Sequence, residues 1–157
     1  MWQPYDAIKL EALDSQRKTV TLDDFRGKNV VLIFYLDEEC VHCVEQLIAI
    51  KNRINDFLGS RTEIVAISSA TPKKLVSSEK MASLSIRPIS DLDHANAKRF
   101  HSYDEFEEME LHSTILIDGR GKVRWTRTGG DPFMDLRFLV SEIKRVSDVD
   151  SIADKDP

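Results

Sequence analysis

Cys40 and Cys43 are the only two cysteines of this 157-residue chain, and they stand in the run Cys40-Val41-His42-Cys43. Thiols three positions apart share one face of a helix, and at a helix N-terminus the backbone dipole favours the thiolate that attacks disulfides or peroxides. A bridge between them closes too short a loop to constrain an unfolded chain, so the spacing argues for reactivity and for a reversible intramolecular disulfide. The same spacing makes half of a four-thiolate zinc site, but the sequence holds no second CxxC to complete one, and neither metal nor cofactor is expected. His42 stands directly before the second cysteine. Asp37-Glu38-Glu39 acts against the dipole, because carboxylates beside a sulfur disfavour its anion.

The elements on either side place this pair. Val30-Val31-Leu32-Ile33-Phe34-Tyr35 is a continuous β-branched and aromatic run, the pattern of a central strand covered on both faces. After it, apolar residues recur with helical period at Val41, Val44, Leu47, Ile48, Ile54, Phe57 and Leu58, until Gly59 ends the helix. Cys40 and Cys43 therefore fall in the first turn of a helix that follows a buried strand. Ahead of that strand, alternation at Ile8, Leu10 and Ala12, then Val20 and Leu22, predicts an N-terminal hairpin about Asp14-Ser15-Gln16.

Further strands are expected over residues 63–68 and 88–90, with Thr71-Pro72 capping a helix between them. A helical stretch over 93–100 leads to an acidic, irregular segment over 104–110. A hairpin then runs from Ser113 to Asp118 and from Lys122 to Thr128 around Gly119-Arg120-Gly121. Asp131-Pro132 opens a last helix with Phe133, Leu136, Leu139, Val140 and Ile143 on one face. This order gives an α/β, thioredoxin-like fold with a mixed central sheet flanked by helices. One redox domain is expected over 1–147, followed by an acidic, disordered tail over 148–157.

Composition excludes several classes. With 41% hydrophobic and 31% charged residues the chain is an ordinary globular domain, and its net charge of -5 argues against a nucleic-acid partner. Arg120, Lys122, Arg124 and Arg127 are read as a solvated strand face, and His94 and His101 as surface residues. No run approaches the roughly 20 apolar residues of a membrane-spanning helix, and the start of the chain lacks the features of a secretory signal. A cytoplasmic protein is expected, although an anchor or signal upstream of Met1 would escape this reading.

Leu22-Asp23-Asp24-Phe25-Arg26-Gly27-Lys28 before the central strand, Ile89-Ser90-Asp91, and Ser113-Thr114-Ile115-Leu116-Ile117-Asp118 before Gly121-Lys122-Val123 resemble the peroxiredoxin (AhpC/TSA) branch of the thioredoxin superfamily. The resemblance runs from about Ile8 to Val146. It implies a thiol-dependent oxidoreductase acting on a hydroperoxide or a protein disulfide, with a dithiol as reductant. In the peroxiredoxin pattern Cys43 takes the place of the peroxide-attacking cysteine and Cys40 that of a threonine. Leu36 replaces a proline, and His112 an arginine that helps to hold the thiolate and peroxide.

In the pattern of thioredoxins and TlpA-like reductases, which the CxxC also resembles, Cys40 attacks and Cys43 resolves the mixed disulfide. Similarity to Sco-type copper chaperones implies instead a copper site of Cys40, Cys43 and His112. A third alternative is an interaction domain of a larger protein that keeps the fold without activity. The catalytic expectation rests on Cys40, Cys43, His42 and His112.

Overall fold

The computed structural model describes residues 5–6, 9–35, 45, 48–49, 61–76, 86–128, 141 and 143–145. Its strands are β1 (Tyr5–Asp6), β2 (Glu11–Leu13), β3 (Thr19–Thr21), β4 (Asn29–Phe34), β5 (Thr62–Ser68), β6 (Arg87–Ser90), β7 (Tyr103–Asp104), β8 (Met109–Glu110), β9 (Ser113–Ile117) and β10 (Lys122–Thr128). Helix α1 spans Pro72–Val76 and helix α2 spans Ala95–Arg99. An eight-stranded mixed sheet has the order β1-β10-β9-β4-β5-β6-β2-β3, and β7 and β8 form a separate two-stranded sheet. None of the described helices is long and apolar enough to cross a membrane.

Strand β4 is buried at every residue, as its unbroken apolar run requires. It pairs parallel with β5 and antiparallel with β9. Val30, Leu32 and Phe34 join Val65, Ile67, Ile115 and Ile117 in one cluster on one face of the sheet. The alternate residues Val31, Ile33 and Tyr35 are buried as well, so neither face of the strand meets solvent. Phe100, just after α2, brings its ring to 6.0 Å from that of Phe34.

Side-chain oxygens explain several element boundaries. Thr71 Oγ1 accepts from Lys74 N at 3.2 Å and Pro72 is the first residue of α1, as the Thr-Pro signal predicts. At the N-terminal hairpin, Asp14 Oδ1 accepts from Gln16 N and Lys18 N at 2.8 and 2.9 Å. Thr21 N donates to Asp24 Oδ2 at 2.9 Å, so a short 3-10 turn over Leu22–Phe25 begins where the sequence pattern had continued the strand through Leu22. The buried carboxylate of Asp91 caps α2, accepting from Asn96 N at 3.1 Å and Ala97 N at 2.9 Å. Asn96 in turn bonds the Glu11 backbone on both sides, accepting from its N at 3.2 Å and donating to its O at 2.7 Å. The hairpin, β6 and α2 are thus locked together.

Two expectations are corrected. The acidic segment over 104–110 is not irregular: Tyr103 pairs with Glu110 and Asp104 with Met109. Asp104 Oδ1 accepts from Phe106 N and Glu107 N, and Glu108 takes a positive φ of 55°, so the hairpin closes without the glycine that normally signals such a turn. The basic face of β10 is not wholly solvated either, because Arg124 is half-buried and lies 3.6 Å from the buried carboxylate of Asp118. Strand β1, which the sequence pattern does not mark, pairs with β10 at the sheet edge. Residues 148–157 and the start of the last helix at Asp131-Pro132 lie outside the described residues, while Ile143 is helical and buried.

Candidate active site

Strand β4 delivers the chain to the cysteine segment, and its end is fixed from both sides. Phe34 pairs with Ile67 of β5 and with Ser113 of β9, and Tyr35 N donates to Ile67 O at 3.1 Å. Beyond the cysteines, Glu45, Ile48 and Ala49 have helical backbone. Cys40, His42 and Cys43 lie outside the described residues, as do Leu36, Asp37, Glu38 and Glu39.

His112 is described, and the register places it. It directly precedes Ser113, the partner of Phe34, so the antiparallel pairing sets it level with Tyr35, where the chain leaves the sheet toward the cysteines. The side chain is half-buried, and loss of water around it pushes the pKa below its ordinary 6.5. Burial thus favours the neutral imidazole, which has one N–H donor and one acceptor nitrogen. Such an imidazole can favour a nearby thiolate as a hydrogen-bond donor.

A polar cluster that sequence reasoning did not single out lies under this position. Ser102 is fully buried, and its Oγ lies 2.8 Å from Leu111 O and 2.6 Å from Ser113 Oγ. Leu111 N donates to Ser102 O at 2.8 Å. The residues on both sides of His112 are held by one serine. The sequence carries no periodic or motif signal for this, since the contacts join segments nine and eleven residues apart around an unforeseen hairpin.

Among the described residues, no group of three or more His, Cys, Asp or Glu side chains converges in a way that could hold a metal ion. A cleft lined by Glu11, Leu13, Ser90, Leu92 and Asp93 contains none of the expected site residues. His94 and His101 both have left-handed backbone, and the His94 ring lies against Tyr103 at 5.1 Å.

Comparison with known proteins gives a consistent result. The sequence profile of the AhpC/TSA family matches residues 5–126. Peroxiredoxin-4 of Dictyostelium discoideum is 28% identical over 141 residues, covering 83% of this chain and 53% of that protein. The chain thus spans about half the length of that relative. Among solved structures, peroxidoxin BcpB of Mycobacterium tuberculosis superposes with a TM-score of 0.80 at 17% identity, covering 90% of this chain and 96% of the other. The mitochondrial 2-Cys peroxiredoxin of Plasmodium falciparum gives 0.73 at 19% identity, with 97% and 98% covered. The two structures share the fold expected here. The profile match favours the peroxiredoxin expectation over the copper-site and interaction-only ones.

Proposed function

Because this chain belongs to the AhpC/TSA family, we propose that it is a thiol-dependent peroxidase whose CxxC pair reduces hydroperoxides. The observation that carries this reading is the family match over residues 5–126, which includes both cysteines and His112. In the proposed cycle the Cys43 thiolate attacks the distal peroxide oxygen. The O–O bond breaks, the leaving alkoxide or hydroxide takes a proton, and Cys43 becomes a sulfenic acid. Cys40 then attacks that sulfur, water leaves, and a disulfide between Cys40 and Cys43 remains. An external dithiol reduces this disulfide by exchange and is itself oxidised.

Helix dipole and His112 act on the same atoms. The helix start that the sequence predicts at Cys40 and Cys43 favours thiolate over thiol, and an imidazole N–H from His112 offers a donor where the family pattern has an arginine. A donor without full charge gives less stabilisation than a guanidinium, so a slower peroxidase than one with arginine at this place is expected. His42 is assigned to the support of the neighbouring Cys40 thiolate. One domain over 1–147 carries all of these groups, and a reducing compartment such as the cytoplasm suits the dithiol cycle.

Consumption of hydrogen peroxide and of an alkyl hydroperoxide with dithiothreitol as reductant tests the reading. The intact protein should turn over, Cys43→Ser should be inactive, and Cys40→Ser should complete only one turnover unless the small thiol replaces its partner. Rapid reduction of insulin disulfides with no peroxide consumption would assign the pair to disulfide exchange led by Cys40.

A further inference from the structure

We propose that Ser102 is the positioning residue that fixes His112 at the mouth of the active site. His112 has no neighbour in sequence that is free to move. Leu111 before it is bonded to Ser102 in both directions, through Leu111 N to Ser102 O and Ser102 Oγ to Leu111 O, each 2.8 Å. Ser113 after it has its Oγ 2.6 Å from the same Ser102 hydroxyl and its backbone in register with Phe34.

A hydroxyl has one proton to give. If Ser102 donates to the Leu111 carbonyl, the short contact requires Ser113 to donate to Ser102 Oγ, and one buried oxygen then serves both flanks of His112. Ser102 is itself anchored, because its N donates at 2.7 Å to Ala97 O within α2, and the Asp91 carboxylate caps that helix. The position of the imidazole is thus handed from a buried helix cap, through α2 and one serine, to the end of β4. Exposure of Ser102 is 0%, so it touches no substrate and acts only through the residue it holds.

The inference rests on the reading that His112 serves the cysteines, and the experiment separates the two. The reaction of the protein's thiols with iodoacetamide is followed against pH in the intact protein, Ser102→Ala, His112→Ala and the double variant. Ser102→Ala should raise the pKa of the reactive thiol and slow its alkylation near neutral pH by roughly threefold to tenfold, the factor expected for one hydrogen bond. In the His112→Ala background the same change should add nothing, because a residue that acts through another loses its effect when that other is removed. Ser102→Thr, which keeps the hydroxyl, should retain the wild-type pH profile.

A full additional loss in the double variant would show that Ser102 acts on stability or on another group, and would overturn the inference. An unchanged profile for Ser102→Ala would do the same. Peroxide consumption is measured in parallel on the intact protein. An intact protein inert toward peroxide would remove the peroxidase reading, while the alkylation profiles would still decide the role of Ser102.

Discussion

His112 carries its own signature in the pH dependence of folding. Burial lowers its pKa below 6.5, so between the folded and unfolded values the unfolded chain binds the extra proton. Its contribution is favourable above 6.5 and is lost as the pH falls through that window to the lower folded value. His112→Asn should therefore flatten the acid side of the stability curve below pH 6.5 and leave it unchanged above, which urea unfolding at a series of pH values would measure. Asp91 makes a different prediction. Its buried carboxylate accepts from two backbone N–H groups of α2 and from Asn96 Nδ2, so Asp91→Ala should cost about 2 kcal/mol or more at neutral pH. A loss within about 0.5 kcal/mol, the range of ordinary surface changes, would deny the cap that role. At this scale the place of His112, directly before the strand that opens at Ser113-Thr114, was legible in the sequence. Ser102 was not, since a lone serine after a short helix looks the same whether or not it meets another segment.

Elements with their own local chemistry were legible: the apolar run of β4, the Thr-Pro start of α1 and the Gly119-Arg120-Gly121 turn all form where the residues direct them. Where tertiary pairing decides, the sequence pattern was silent. The hairpin of β7 and β8 is built from acidic residues with Glu108 in the position that a glycine would mark, and β1 is a strand only because β10 offers it an edge. The two kinds of element should respond differently to substitution. Leu32 is fully buried within β4, so Leu32→Ala should cost about 2–5 kcal/mol of unfolding free energy and weaken the support of the site. Phe106 is 91% exposed on the β7–β8 turn, and Phe106→Ser should change stability by no more than about 0.5 kcal/mol.

At the scale of the molecule, a parallel strand on one side of β4 and an antiparallel one on the other bring the N-terminal end of β9, with His112 before it, to the end of β4 that leads to Cys40 and Cys43. The topology, and not adjacency in the chain, therefore brings His112 level with Tyr35, the last described residue before the cysteine segment. The central claim, that Cys43 attacks peroxide and Cys40 resolves it, is tested most directly by trapping the sulfenic acid. With one equivalent of hydrogen peroxide and dimedone, Cys40→Ser should acquire the dimedone adduct on Cys43, while the intact protein should lose two hydrogens to a disulfide between Cys40 and Cys43. An adduct formed on Cys40 in Cys43→Ser, with none on Cys43 in Cys40→Ser, would contradict the account.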